Sequence, residues 1–171
     1  MTRALLFCSL AATACTHNLG DPCGQNVDCS PAGDRFCDTS QPGGYCTVED
    51  CDIGTCPDNQ PCVRFFTPIK DEPCDPTQMN TGCLADERCI CDTFTNDQCA
   101  SAFCAPESSE RRWCMQGCGA DGDCRTSYVC RSTYPPPKGS QNPILPGAEP
   151  VPTQYDLTGA ATAASFCIFQ G

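Results

Sequence analysis

The sequence of 171 residues has few of the groups that catalytic sites and nucleic-acid surfaces need. His17 is the only histidine, whereas nucleophilic triads and most zinc enzymes require an imidazole held in place. Ten basic against 21 acidic residues give a formal net charge of −11, and binding to phosphate groups needs a basic face instead. Nucleotide-binding and nucleophile-elbow motifs are also missing. The sequence therefore predicts a protein that is not an enzyme, has no cofactor and binds no nucleic acid.

Long apolar runs are missing as well. No stretch of 18 apolar residues is present, so the sequence predicts no membrane-spanning helix. In residues 15–171, Leu, Ile, Val and Phe together number 21 of 157, which is too few for burial alone to offset the loss of chain entropy.

Two carboxylates fixed about a cleft, as in glycosidases, would be the remaining catalytic option, but a chain of this kind rarely provides such a cleft.

Cysteine is what the sequence has in excess, with 20 residues. Zinc ribbons and thioredoxin-like sites use C-x2-C, which does not occur, and Cys89 to Cys91 is the only C-x-C. This spacing favours disulfides over metal binding, and we predict no metal ligands. Sixteen prolines, 14 glycines and short intervals between cysteines predict a small disulfide-rich, irregular fold of short β-hairpins and turns with little helix.

The first residues indicate export. Residues 1–14 combine one basic residue with the apolar run "ALLFCSLAATA", which predicts a signal peptide. The following "ATAC" resembles a bacterial lipobox, and the resemblance implies that Cys15 carries diacylglycerol with acyl chains such as palmitate. An ordinary secretory signal cleaved before Cys15 is the alternative. Loss of Cys8 with the signal and lipidation of Cys15 would leave an even number of 18 cysteines. Thr16 is not the Asp of inner-membrane lipoproteins, so we expect the outer membrane.

An internal repeat suggests the domain organisation. Cysteines 46, 51, 56 and 62 run C-x4-C-x4-C-x5-C, and cysteines 114, 118, 124 and 130 run C-x3-C-x5-C-x5-C, each set following an aromatic residue. We predict a tether at 15–22, module 1 at 23–74, a linker at 75–82 and module 2 at 83–171 with a Pro-rich insertion at 131–166, which we expect to be partly ordered. Module 1 holds Cys23, Cys29, Cys37, Cys46, Cys51, Cys56, Cys62 and Cys74. Module 2 holds Cys83, Cys89, Cys91, Cys99, Cys104, Cys114, Cys118, Cys124, Cys130 and Cys167. Both numbers are even, so each module can close its own bridges, with Cys74 equivalent to Cys167.

The segments "CGQNVDCSPAGDRFC" and "CGADGDCRTSYVC" resemble the C-x5-C-x5-8-C unit of cysteine-rich bacterial lipoproteins. A similar unit occurs in the amino-terminal cysteine-rich region of Dickkopf proteins. The resemblance implies small disulfide-bonded modules outside the cytoplasm and implies no activity.

Few residues stand out as candidate contacts. Arg111, Arg112 and Trp113 form the one basic and aromatic spot on an acidic chain and are a candidate partner contact, the alternative being an indole packed over a disulfide beside solvated arginines. Asp121 and Asp123 could suggest calcium, but the full loop pattern is missing and an Asp-capped turn is favoured. His17, within the predicted tether, is expected to be solvated.

These observations predict a non-enzymatic, lipid-anchored cell-envelope protein whose modules are a rigid binding or structural scaffold. Its partners would be the membrane, through the lipid, and an extracytoplasmic protein or glycan. Two alternatives stay open. One is a protease inhibitor presenting loop 63–73, with Arg64 and Lys70, or loop 105–113; the other is a metal-sequestering cysteine-rich protein.

Overall fold

The computed structural model describes residues 17–67, 69, 71–75, 82–96, 98–133, 140–145, 148–150 and 163–170. Short antiparallel strands in small sheets dominate these residues, which confirms the predicted small disulfide-rich fold with little helix. The strands are β1 (Phe36–Cys37), β2 (Cys46–Thr47), β3 (Cys62–Phe65), β4 (Pro73–Cys74), β5 (Glu87–Thr95), β6 (Gln98–Pro106), β7 (Arg111–Cys114), β8 (Tyr128–Ser132), β9 (Ala148–Pro150) and β10 (Ser165–Phe169). The helical segments of the described ranges are α1 (Asn26–Cys29) and three 3-10 turns, Pro57–Asn59, Glu107–Ser109 and Asp121–Asp123.

Eight of the nine disulfides follow one pattern. Four groups of four cysteines each join their first cysteine to their third and their second to their fourth. We call these groups unit 1 (Cys23, Cys29, Cys37, Cys46), unit 2 (Cys51, Cys56, Cys62, Cys114), unit 3 (Cys74, Cys83, Cys89, Cys104) and unit 4 (Cys118, Cys124, Cys130, Cys167). The ninth bridge, Cys91–Cys99, joins β5 to β6 within unit 3.

Strand pairing explains the shared pattern. In every unit the third and fourth cysteines lie directly opposite each other on two antiparallel strands, as Cys37↔Cys46, Cys62↔Cys114, Cys89↔Cys104 and Cys130↔Cys167. Opposite residues project from the same face of a sheet. The third and fourth cysteines therefore place the two disulfides of their unit on the same face. In each unit three of the sulfurs lie within 4.8 Å of one another, and the two bridges therefore pack side by side.

Units 1 and 4 also share the loop between their first two cysteines. The Asp28 carboxylate accepts hydrogen bonds from the backbone of Gly24 (2.8 Å) and Gln25 (3.0 Å), and Asp123 accepts the corresponding bonds from the residues after Cys118, at the same two distances. Asn26 and Asp121, each third after the first cysteine, accept the backbone N–H of the third cysteine. The resemblance between the two sequence segments thus corresponds to a common local structure.

The expectation that each predicted module closes its own bridges is wrong. Cys56–Cys114 and Cys74–Cys89 both run from module 1 to module 2. The reason is that β3 pairs with β7 and not with a neighbouring hairpin strand, so unit 3 is inserted between the third and fourth cysteines of unit 2. The cysteine equivalent to Cys167 is accordingly Cys114, and the prediction of Cys74 for that position is also wrong. Residues 76–81 of the predicted linker lie outside the described residues.

The prediction of a tether at 15–22 is also wrong for residues 17–22, which are the part of it that the structure describes. Leu19 is 6% exposed and packs against the unit 2 cysteines, and Gly20 donates its N–H to the carbonyl of Cys46 (2.9 Å). His17 is half-buried, and its carbonyl accepts a hydrogen bond from the Arg35 guanidinium, so it is not the solvated side chain that we expected. The segment packs against the rest of the protein because the apolar side chain of Leu19 contacts the surface formed by the unit 2 disulfides. Residues 1–16, including Cys15, lie outside the described residues.

The main apolar cluster lies where units 1, 2 and 4 meet. Its buried members are Tyr45, Val63, Met115, Tyr128, Ala148 and Phe166. Tyr45 connects the three units, because its hydroxyl accepts the N–H of Gln116 (2.8 Å) and donates to the Cys167 carbonyl (3.4 Å). A smaller cluster of Phe66, Ile90 and Ala105 attaches unit 3.

The Pro-rich insertion is packed into the fold where it is described. Strand β9 pairs with β3 and makes a three-stranded sheet with β7. Leu145 donates its N–H to the carbonyl of Ser132 (2.9 Å). The residues 134–139, 146–147 and 151–162 lie outside the description.

Candidate functional site

Strand β7 carries the candidate contact Arg111, Arg112 and Trp113, and the strand separates these side chains. Alternate residues of a strand project to opposite faces, so Arg112 and Trp113 point away from each other. The guanidinium of Arg112 bonds to the Glu110 carboxylate and to Asp52 (2.7 Å), and the hydrogen bond to Glu110 raises the pKa of Arg112. Arg111 is exposed and donates to the carbonyls of Ser108 and Glu110. All three residues nevertheless line one shallow pocket together with Glu49, Asp50 and Glu110, so the predicted contact is acidic as well as basic and aromatic.

Trp113 also lines a second pocket. Its indole is half-buried and packs against the ring of Phe36, with 6.0 Å between centroids. The pocket beside it measures about 190 Å³ and takes residues from units 1, 2 and 4. It is lined by Asp38, Ser40, Gln41, Tyr45, Thr47, Phe65, Trp113, Met115 and Ile168.

The inner end of this pocket is buried. Tyr45 and Thr47 are each 1% exposed, and Met115 is 3% exposed. Burial raises the pKa of the Tyr45 hydroxyl, which stays protonated and holds the units together. Thr47 donates its hydroxyl to the Cys114 carbonyl (2.7 Å). The hydroxyl hydrogens of both side chains are thus engaged within the protein.

The outer end of the pocket is polar. Asp38, Ser40 and Gln41 lie in the loop between β1 and β2, where Ser40 is exposed. The Asp38 carboxylate accepts the backbone N–H of Ser40 (3.0 Å) and also its hydroxyl. This turn holds one carboxylate at the mouth of a pocket with an aromatic wall.

Sequence reasoning identified Trp113 but missed the remaining pocket residues. The signal available was the aromatic residue before the fourth cysteine, which is present in all four units as Tyr45, Trp113, Phe103 and Phe166. Two of these residues line the pocket, and Phe166 lies behind it, edge-on to Phe65 at 5.7 Å. The pocket itself forms only when three units come together, which spacing within one unit does not reveal.

The acidic turn has a structural role, as predicted. Asp123 accepts two backbone N–H groups, which lowers its pKa, and Asp121 accepts the N–H of Cys130 (2.8 Å) and lies 3.7 Å from Arg131. These oxygens are engaged by the protein's own backbone and side chains.

The cysteines predicted to form disulfides all do so, in nine bridges. Arg64, one candidate residue of the inhibitor alternative, is buried in the central strand β3, near Glu110 (3.8 Å). Lys70 lies outside the described residues. In loop 105–113, Arg111 is the basic side chain that projects into solvent.

Comparison with protein family models, with curated proteins and with solved structures gave no match. Among the described residues, no helix has the length and apolar character needed to cross a membrane.

Proposed function

We propose that this protein is a non-enzymatic, lipid-anchored protein of the bacterial cell envelope whose disulfide-stapled units form a rigid binding scaffold. The observation that carries the proposal is the pocket beside Trp113, which is built where three units meet. Each unit contributes residues next to a bridged cysteine, such as Tyr45 and Trp113, so the pocket is held open before a ligand arrives. A preorganised site of this kind loses little conformational entropy on binding.

Binding without turnover fits the chemistry of the lining. Asp38 is the single carboxylate among the lining residues, whereas glycoside hydrolysis needs two. The Thr47 hydroxyl donates to a backbone carbonyl and has no histidine beside it in the lining, so it is not activated as a nucleophile.

Lipid anchoring is proposed from the lipobox-like "ATAC" that ends at Cys15. In the native host, Cys15→Ser should abolish membrane retention and leave the signal uncleaved, whereas the matched variant Cys8→Ser should change neither. Fractionation and intact-mass measurement of both variants report lipid, cleavage site and oxidation together. Normal membrane retention of the Cys15 variant would overturn the lipoprotein proposal, and separation of the two membranes would test the expected outer-membrane location.

Protease inhibition is kept as a second candidate because Arg111 is exposed at the start of β7. An inhibitor would lower trypsin activity at equimolar concentration, and Arg111→Ala would remove the effect while the variant stays folded. The scaffold proposal expects no inhibition by either protein. Thiol titration tests the metal-sequestering alternative, since a fully bridged protein exposes no free sulfhydryl from its 18 cysteines.

A further inference from the structure

The pocket beside Trp113 offers an apolar inner surface. The Tyr45 hydroxyl donates to Cys167 and accepts from Gln116, and the Thr47 hydroxyl donates to Cys114, so neither has a hydrogen free to donate to a ligand. The remaining inner contacts are carbon and sulfur atoms of side chains such as Met115 and Phe65. A ligand therefore finds no free donor at this end, and its carbon atoms match the apolar surface of Met115 and Phe65.

The outer end offers hydrogen-bond acceptors and negative charge. Both donors of Ser40, its N–H and its hydroxyl, point to the Asp38 carboxylate. The carboxylate keeps its negative charge, and the Ser40 oxygen keeps its lone pairs free to accept. A ligand that brings donors or positive charge to this end meets complementary groups.

The lining contains no lysine or arginine that would neutralise Asp38. Arg125 approaches the Tyr45 ring, with 5.8 Å to its centroid, but it bonds to the Gly44 carbonyl and stacks on Tyr128 at 4.0 Å. Arg112 lies on the opposite face of β7, where it is paired with Glu110. Arg111 is opposite Phe65 on the face of Trp113, but it is not among the lining residues and donates to the carbonyls of Ser108 and Glu110. Trp113 and Phe65 are the rings left to face a ligand's charge.

We propose that this pocket binds an organic cation, namely an ammonium group that carries alkyl carbons. The carbons would contact Trp113, Phe65 and Met115, and the positive nitrogen would lie near Asp38. Aromatic rings attract such cations through their quadrupole, and a net charge of −11 raises their local concentration. A volume of about 190 Å³ is below the ~300 Å³ of pockets for drug-sized ligands, so the site takes a head group or a single side chain. The inference rests on the proposed binding function and names its ligand class.

Trp113 makes the test direct, because it is the only tryptophan of the chain. The full chain, oxidised and in detergent, is titrated with choline and with its uncharged isostere 3,3-dimethyl-1-butanol while indole emission is recorded. Choline should give a saturable change at an affinity about tenfold higher than that of the alcohol, because the alcohol lacks the cation–π and carboxylate attraction. Higher salt should lower the affinity for choline but not the affinity for the uncharged alcohol.

Two matched variants isolate the carboxylate. Asp38→Asn keeps an oxygen that can accept from Ser40 but removes the charge. It should lower choline affinity toward that of the alcohol without reaching it, because the cation–π attraction of Trp113 and Phe65 remains. Asp58→Asn removes an exposed charge outside the pocket and should leave choline affinity unchanged.

Two further titrations distinguish the source of the cation. The second titrant is Nα-acetyl-lysine amide, whose side-chain ammonium group is free. Tighter binding of choline points to a small quaternary ammonium compound, and tighter binding of the lysine derivative points to a lysine side chain of a partner protein. Either result supports the cation site. Equal affinity for choline and the alcohol, binding of N-acetylglucosamine alone, or no binding at all would overturn the inference. Membrane retention does not depend on Asp38, so these outcomes are separable from failure of the envelope proposal.

Discussion

At the scale of single residues, Gly44 lies directly against the backbone of Cys23. A Cβ atom added there would lie 1.9 Å from the Cys23 carbonyl oxygen, and the φ angle of +69° disfavours any side chain. Gly43 has a similar φ of +77° but no atom within 4 Å of its added Cβ.

These two glycines make a matched pair of substitutions. Gly43→Ala should lower the free energy of unfolding by about 1–2 kcal/mol through backbone strain alone. Gly44→Ala should lower it by clearly more, because the backbone of Cys23 must also move. Urea unfolding of the oxidised variants measures both, and equal losses would mean that the close approach is absent in solution.

Asp28 and Asp123 give the protein a predictable response to acid. Backbone hydrogen bonds in the loops of units 1 and 4 hold the pKa of each carboxyl below its ordinary value. A lowered pKa in the folded state contributes stability above the pKa of the unfolded state, about 3.9, and this stability is lost as pH falls through the folded value.

Replacement of both residues by Asn should flatten the fall in stability below about pH 4. Urea midpoints measured from pH 2 to pH 6 would show it, with Asp58→Asn as the control that leaves the slope unchanged. If the double variant loses as much stability on acidification as the parent, these carboxyls are not the groups responsible.

At the scale of elements, the sequence predicted short strands and turns but not their partners. Closely spaced cysteines and turn residues limit strand length locally, and β1, β2 and β4 are each only two residues long. The partner of β3 is β7, about 50 residues further along the chain, and nothing near Cys62 encodes that pairing. The same contrast applies to the sites. The Asp-capped turn at Asp123 was predictable from the residues of its own loop, whereas the pocket beside Trp113 was not, because it depends on the long-range pairing of β3 with β7.

A short-range and a long-range disulfide should differ in their contribution to stability. Cys91–Cys99 closes a separation of 8 residues inside one hairpin, and Cys56–Cys114 closes 58. In the chain-entropy model their removal costs about 2.5 and about 4 kcal/mol, respectively. The difference should be larger in practice because Cys56 and Cys114 are both buried near Leu19, whereas Cys99 is only half-buried.

Paired replacement of both cysteines by Ala in each bridge, followed by urea unfolding, provides the comparison. Paired replacement leaves no unpartnered thiol in either variant. An equal or larger loss on removal of Cys91–Cys99 would contradict the expectation that the long-range bridge Cys56–Cys114 contributes more to stability.

At the scale of the whole molecule, methionine positions allow the nested connectivity to be tested. Cyanogen bromide cleaves after Met1, Met79 and Met115, which are the three methionines of the chain. Both bridges of unit 4 lie after Met115, so fragment 116–171 should separate without reductant. The fragment that ends at Met79 and fragment 80–115 should stay joined by Cys56–Cys114 and Cys74–Cys89.

Mass spectrometry before and after reduction reads the result. Two self-contained modules would instead release the fragment that ends at Met79 without reductant. The cysteine count alone could not distinguish these cases, because both arrangements leave an even number of cysteines in each part.

The alternating connectivity also constrains how the protein can mature. A chain that enters an oxidising compartment from its amino terminus exposes Cys29 to Cys23 before Cys37 arrives, and the same holds in every unit. Pairing in order of arrival would therefore produce wrong bridges everywhere except at Cys91–Cys99, the one native bridge between consecutive cysteines. The other eight bridges must be reached by thiol exchange, and Cys56 must wait until Cys114 has been delivered. Production in a host without a disulfide isomerase should yield scrambled isomers of the correct mass.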